Sequence, residues 1–423
     1  MTRAMKDSGI EWIGQIPENW NISKLKNIAK IKTGNTPSKE NGENYYASEG
    51  LLWVKPDNLL AFSYIKNTKE FLSDAGKSIA RVVPAFTPLV CCIGSIGKFG
   101  IANQEVSFNQ QINAVLFHPD KINSKYGLYY ISCQEEQHWF YSNGNVVKIL
   151  NTEEQGKILF PLPPLSEQKK IADYLDKRCE EIDTAIDNQK QIIEKLKEYK
   201  QSLITETVTK GLTPNVKLKD SGIEWIGSIP EHWNIIRGKN ALSLMHRPVS
   251  SDMEVITCFR DGEVILRKYR REKGFTFSDK EIGYQGIKVG DLVIHGMDGF
   301  AGAIGISKSY GKGSPVLNVC NAKDGINLDY ICYFLRNMAD RNLFIALSTG
   351  IRERSCDLKW NKIANLLLPQ PPLSEQKEIA EYLDKKCNKI DAAIKQKEET
   401  ISKLEEYKKS LIFECVTGKK EVA

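Results

Sequence analysis

Residues 163–209 read PPLSEQKKIADYLDKRCEEIDTAIDNQKQIIEKLKEYKQSLITETVT, and residues 371–417 repeat them with identity at 30 of 47 positions and a constant offset of 208. A duplicated segment of this length limits what the rest of the chain can be. Leu175, Cys179, Ile182, Ile186, Gln189, Ile193, Leu196, Lys200 and Leu203 are spaced alternately by four and three residues, the heptad rhythm of a helix that keeps one narrow seam facing a partner helix. The second copy keeps the register with Leu383, Cys387, Ile390, Ile394, Lys397, Ile401, Leu404, Lys408 and Leu411. Polar residues fall at the same two seam positions in both copies, which favours one alignment over slipped ones. Each seam needs a partner, and the other copy is the obvious one. Pro163 and Pro164 bar helix upstream, Ser166 is placed to cap the first helix and Gly211 and Pro214 to end it; Pro371, Pro372, Ser374 and Gly418 serve the second. Some 40 residues at 1.5 Å each predict a rod of roughly 60 Å, longer than the core helices of ordinary globular domains.

A second repeat marks the frame as duplicated throughout. Residues 6–21 (KDSGIEWIGQIPENWN) and 219–234 (KDSGIEWIGSIPEHWN) agree at 14 of 16 positions. The order is lead-in segment, insert, long helix, written twice, and closing the chain on itself would set Thr417 12 residues before Lys6, close to the 10 between Thr209 and Lys219. The molecule is thus circularly two-fold in sequence. The inserts, 22–162 and 235–370, share little identity, yet both read as mixed α/β. Apolar, β-rich runs lie at 52–54, 89–93 and 112–117 in the first, and at 254–259, 264–269, 292–295 and 316–320 in the second. One faint likeness survives between them: residues 88–102 can be laid over 291–307, each a strand entering a glycine-rich loop and leaving as another strand. The expected class is α/β (α+β in arrangement): two mixed α/β domains separated by two long helices that form an antiparallel coiled coil with pseudo-two-fold symmetry. The expected divisions are 1–162 with its lead-in 6–21, helix 163–211, then 212–370 with its lead-in 219–234, helix 371–418 and a tail, 419–423.

Composition matters mainly for what it excludes. With 41% hydrophobic and 26% charged residues among 423, the balance is that of an ordinary globular chain; no apolar run reaches the 18 or so residues that span a membrane, and the expected compartment is cytoplasmic. The ten cysteines form no CxxC pair, Cys179 and Cys387 sit on the seams as small hydrophobes, and the histidines at 118, 138, 232, 246 and 295 lack metal-ligand spacing. No metal site is expected. Residues 76–78 (GKS) resemble the end of a phosphate-binding loop but lack its first glycine, so a surface turn is expected there. The glycine-rich stretches 94–100 and 296–305 lack dinucleotide spacing, and each Pro-Pro pair is followed by Leu rather than by the Tyr of amino-methyltransferase tetrapeptides. No catalytic residue is identified.

What is present suits DNA. The net charge of +6 permits a nucleic-acid partner without proving one, because clustering matters more than the total. Arg267, Lys268, Arg270 and Arg271 crowd around Tyr269, and Arg352 and Arg354 flank Glu353 shortly before the second helix. Arginine grips phosphate or bridges two acceptors on guanine, and Asn109, Gln110 and Gln111 have the amides that can do so on adenine; Lys98 and His295 lie in or beside the glycine-rich loops. Taken singly, each is also read as a solvated charge or a hairpin residue.

The twice-written PPLSEQ..IA.YLD helix, the twice-written SGIEWIG.IPE.W lead-in and the two unlike inserts together resemble the specificity (S) subunit of type I restriction-modification systems, across essentially the whole chain. The resemblance implies that each insert is a target recognition domain reading one half of a split, asymmetric double-stranded DNA site. It also implies that the helices set the gap and dock two methyltransferase (M) subunits, with restriction (R) subunits joining them. S-adenosylmethionine, ATP and magnesium would then be bound by those partners. Two other readings are a catalytic methyltransferase or nuclease with fused recognition domains, disfavoured by the missing motifs, and a coiled-coil protein adaptor, which would show no salt-dependent duplex binding.

Overall fold

The computed structural model describes residues 3–38, 44–60, 64–144, 146–270, 282–346 and 358–422. The chain divides into two compact units, one made of residues 1–189 with 399–423 and the other of residues 190–398. Each unit therefore takes the start of one long helix and the end of the other, so the helix segments drawn as separate parts in the sequence are shared between the units.

In the first unit the lead-in folds as a hairpin, Met5–Asp7 against Gln15–Pro17. It buries Ile13, Ile16 and Trp20 almost completely. Asn21–Lys24 then pairs antiparallel with Leu159–Leu162, closing the two ends of the insert on each other. The insert's main sheet is antiparallel, in the order Phe99–Ile101, Pro88–Cys91, Ile112–Phe117, Ala29–Thr33. A second sheet, of five short strands, joins Leu51–Val54 in parallel to Val106–Phe108. The predicted runs at 52–54, 89–93 and 112–117 are all strands, trimmed or extended by a residue or two.

The second unit repeats the hairpin, the closing pair and the four-stranded sheet with other residues, but among the described residues it has two separate two-stranded sheets, Ile256–Cys258 with Val264–Leu266 and Gln285–Ile287 with Gly311–Gly313, where the first unit has one larger sheet. Leu218–Asp220 pairs with Ser228–Pro230, and Asn234–Arg237 with Leu367–Gln370. Its main sheet runs Ile304–Ile306, Leu292–His295, Leu317–Ala322, Leu242–Leu244, which is the same order and antiparallel sense as in the first unit. The faint likeness between residues 88–102 and 291–307 is thus the same hairpin in the two sheets. A helix follows each sheet, Ser124–Ser132 in the first unit and Leu328–Asp340 in the second, capped by the side chains of Asn123 and Asn327.

The long helices span Leu165–Lys210 and Leu373–Val416, 46 and 44 residues. Within the first unit Leu175, Cys179, Ile182 and Ile186 pack with Ile401, Leu404 and Leu411. Within the second, Leu383 and Cys387 cluster with Leu203, while Ile193 and Ile390 are buried and Leu196 and Ile394 half-buried. The packing is antiparallel in both units, and the seam lysines show its register. Lys408 Nζ donates to the two Asp183 carboxylate oxygens at 2.7 and 2.8 Å, and Lys200 Nζ to those of Asp391 at 2.6 and 2.7 Å. Each lysine and each aspartate is the repeat mate of the other, so one register satisfies both pairs.

Two local expectations are corrected. Ser166 does not cap its helix: the Pro164 carbonyl accepts from Gln168 N at 3.0 Å, and Pro372 accepts from Gln376 N in the same way, so the serines lie inside the first turn. Proline suits that place, having no N–H to leave unpaired and a φ already near the helical value. Residues 76–78 are not a surface turn but part of a helix, Asp74–Ile79, whose Ser73 side chain accepts from Gly76 N. The C-terminal ends follow expectation, with Gly211 and Gly418 at φ +77° and +73°, left-handed caps that glycine adopts at little cost. A Cβ on Gly211 would lie 3.1 Å from the Trp233 ring, and one on Gly418 would collide with Pro17, so each helix ends against a lead-in segment.

Candidate DNA interface

The frame holds each insert through a polar clamp. Gln168, fully buried, accepts from the Asn123 N–H at 2.7 Å and donates to the Pro163 carbonyl at 2.8 Å and the Lys121 carbonyl at 3.2 Å. Gln376 does the same with Asn327 N, Pro371 O and Gly325 O at 2.9, 2.9 and 3.0 Å. The Tyr126 hydroxyl meets the carbonyls of Pro161 and Val416, and that of Tyr330 meets those of Pro369 and Val208. These four residues fix the insert's helix to the start of one long helix and the end of the other. Sequence reasoning overlooked them, although the glutamine stands in the repeated PPLSEQ motif.

On the first unit the structure brings two predicted stretches together. Residues 92–98 form a tight loop with Gly94 and Gly97 at φ +81° and +83°, and the Cys92 N–H donates to the Gln111 carbonyl at 2.7 Å. Lys98 and the turn 109–111 therefore share one edge. Their side chains have different tasks. Asn109 is buried, accepts from Gln111 N at 3.1 Å and donates to the Gln111 side chain at 3.0 Å, so these two amides shape the turn instead of facing outward. Gln110 is exposed and bonded to the Thr36 hydroxyl; Lys98 is half-buried.

On the second unit the basic run is matched by acids. Arg270 is paired with Asp261 at 2.5 Å and Glu263 at 3.1 Å, Lys268 with Glu254 at 2.6 Å, and Arg267 Nε donates to the Thr257 hydroxyl at 3.0 Å. The Arg270 hydrogen bond holds the Asp261 carboxyl below its ordinary range. The run that looked like a free cationic patch is thus largely neutralised within its own surface. His295 ends a strand at the glycine-rich loop, where burial lowers its pKa and its Nδ1 accepts from Asp298 N at 3.0 Å, so the imidazole is a neutral loop-holding group. Arg271, Arg352 and Arg354 lie outside the described residues.

Each unit also has a cleft between its insert and the long helices, about 560 Å³ in the first and about 740 Å³ in the second. The helix walls are repeat mates, Asp176, Cys179, Asp183 and Lys408 in one and Asp384, Cys387, Asp391 and Lys200 in the other. Tyr129 and Tyr333 donate to the first aspartate of each set, at 2.8 and 2.6 Å. The insert walls differ. Burial raises the Cys179 thiol to about 11, in keeping with its predicted role as a small seam hydrophobe. Among the described residues no three potential metal ligands converge, and no helix is long and apolar enough to cross a membrane.

The structure thus shows one scaffold written twice, carrying two inserts of unlike surface chemistry. Comparison with known proteins shows what such a chain is similar to. Residues 17–198 match the model of the type I restriction modification DNA specificity domain. The chain is 24% identical to the putative type I restriction enzyme MjaX specificity subunit of Methanocaldococcus jannaschii, over 96% of this chain and 95% of that one. It is 21% identical to the StySPI specificity subunit of Salmonella potsdam, over 96% and 90%. Among solved structures it is similar to a chain from a study of complex assembly and conformational transition of the type I R-M system, with a TM-score of 0.69 at 15% identity over 96% and 99% of the two chains. The HsdS subunit from Thermoanaerobacter tengcongensis gives 0.53 at 14% identity, over 96% and 98%. The chain is thus similar to the specificity subunits of type I restriction-modification systems, through the family model over residues 17–198 and through these relatives over nearly its whole length.

Proposed function

We propose that this chain is the non-catalytic, sequence-selecting subunit of a type I restriction-modification complex, with one unit reading each half of a split, asymmetric duplex target. The observation that carries this reading is the repeated frame: the same four-stranded scaffold and glutamine clamp appear twice, but with different loops, and different loops present different hydrogen-bonding groups to DNA. Two methyltransferase subunits dock on the chain and restriction subunits join them. The pair of clefts with repeat-mate helix walls supports two copies of one partner. S-adenosylmethionine, ATP and magnesium are bound by those partners, which supply the chemistry.

The test is reconstitution with the methyltransferase partner, followed by mapping of methylated adenines. The expected pattern is two unlike half-sites separated by a fixed unspecified gap, with no turnover by the chain alone given S-adenosylmethionine, ATP and magnesium. Methylation by the chain without partners, or unchanged site choice by partners lacking the chain, refutes the proposal.

A further inference from the structure

The sequence pointed to Lys98 in the first unit and to the arginine-rich stretches of the second, but a further group of uncompensated cations lies in the first unit. Lys24, Lys26 and Lys30 are exposed and Lys32 is half-buried, and among the described residues none of the four has an ion-pair partner. Lys30 and Lys32 belong to Ala29–Thr33, the edge strand of the main sheet, where residues two apart share a face. Beside this strand is an open groove of about 540 Å³ whose lining includes Lys32, Thr33, Ala80, Arg81 and Thr152, two cations and no acid. Arg81 is built into place. Its guanidinium donates to the Thr33 carbonyl, its main-chain N–H donates to Asn35 Oδ1 at 2.7 Å, and the Asn35 amide donates to the Ile79 carbonyl at 3.0 Å. One guanidinium arm is therefore spent on holding position, and the others have no hydrogen-bond partner among the described residues.

We infer that Lys24, Lys26, Lys30, Lys32 and Arg81 form a phosphate-binding track that holds one DNA strand and delivers it to the turn at Gln110. The inference rests on the DNA-recognition reading and adds to it residues that position the duplex. Two residues along a strand advance roughly 7 Å, matching two phosphate steps of roughly 3.4 Å along the duplex axis. The path onward is continuous: Gly34 N donates to the Ile112 carbonyl, Asn35 N to the Phe108 carbonyl, and the Thr36 hydroxyl bonds Gln110. Lysines also blunt sheet edges against association, but the fold does not require that device here. The equivalent edge strand of the second unit, Leu242–Leu244, reads Leu-Ser-Leu and carries no charge. Arg237 and Lys239 do occupy the places of Lys24 and Lys26, both exposed, so the start of the track is common to both units and its extension belongs to the first.

The experiment uses the chain assembled with its methyltransferase partners and measures duplex affinity against salt, on DNA with and without the target. The variant is K30Q/K32Q/R81Q, with K30R/K32R/R81K as the charge-keeping control and thermal unfolding as the check on folding. The expected result is a salt slope smaller by about three on both DNAs, since each phosphate contact contributes about one. The methylated sequence stays unchanged and the control keeps the parental slope. A slope equal to the parent's overturns the track while leaving the recognition reading in place, and so does a changed methylation sequence, which would make these base contacts. A parent assembly without salt-dependent duplex binding overturns both.

Discussion

Replacing Gln168 with leucine tests the clamp at nearly constant volume. The change removes three hydrogen bonds and leaves the Asn123 N–H and the carbonyls of Pro163 and Lys121 facing an apolar side chain. An orphaned buried polar group costs about 1–3 kcal/mol, but the Lys121 carbonyl lies nearer solvent, so the expected loss is about 2–4 kcal/mol. That is a large part of the 5–15 kcal/mol of a typical domain. At a urea slope near 2 kcal/mol/M it lowers the midpoint by about 1–2 M. Hydrogen exchange during urea unfolding reports each unit separately. Gln168→Leu should weaken protection of amides in residues 1–189, and Gln376→Leu that of residues 190–398. Gln168→Glu adds a directional check, because a carboxylate would face the Pro163 carbonyl and the damage should grow as pH rises. Midpoints within a few tenths molar of the parent for both leucine variants would refute the assignment.

Three further outcomes follow from the same geometry. Lys408→Met should cost roughly 1–2 kcal/mol and Lys200→Met under about 1 kcal/mol, because the Lys408 side chain is 8% exposed and that of Lys200 30%, while both aspartates remain wet; equal losses in thermal unfolding would contradict this. Burial pushes the His138 imidazole down to about 4. The unfolded chain then binds the proton first as pH falls, so stability present above pH 6.5 is lost toward pH 4 by up to roughly 3 kcal/mol, and H138L should flatten that decline in urea titrations at several pH values. Residues 190–398 alone should unfold cooperatively, whereas 1–189 should need 399–423, supplied in trans if necessary, because Val416 and Gly418 cover Tyr126 and Trp20; a cooperative melt of 1–189 by itself would show that cover to be dispensable.

The duplication made the frame legible. Comparing two copies inside one chain reveals a seam, its polar positions and its glycine stops, because each must satisfy the same backbone and packing demands twice. The Lys–Asp register was half visible: the lysines broke the apolar rhythm, but Asp183 and Asp391 lie off the seam and could be paired only with the antiparallel alignment in hand. The clamp was hidden for a different reason. A glutamine in a first helical turn looks like ordinary solvent-facing polarity, and only its burial against the Asn123 and Asn327 turns reveals its bonds. The candidate contacts were least legible because a charge run does not show its partners. Arg267, Lys268 and Arg270 lie close in sequence, yet their nearest partners Thr257, Glu254, Asp261 and Glu263 come from neighbouring chain. Lys30, Lys32 and Arg81 lie apart in sequence and gather only when the sheet forms.

The clamp also explains how one frame can carry two unlike inserts. Gln168 and Gln376 grip main-chain atoms of the insert, and Tyr126 and Tyr330 grip main-chain atoms of the insert's closing strand and of a long helix's end, so the joint constrains an N-cap turn and one tyrosine but few other insert side chains. Residues of the glycine-rich hairpin and of the turn at 109–111 lie outside that joint. Their identities can change without disturbing the seam, provided the hairpin keeps the close backbone approach that Gly97 permits against Glu135. The two inserts of this chain can therefore differ because of where the hydrogen bonds are spent: the frame grips backbone, which both inserts have, and leaves most insert side chains outside the joint.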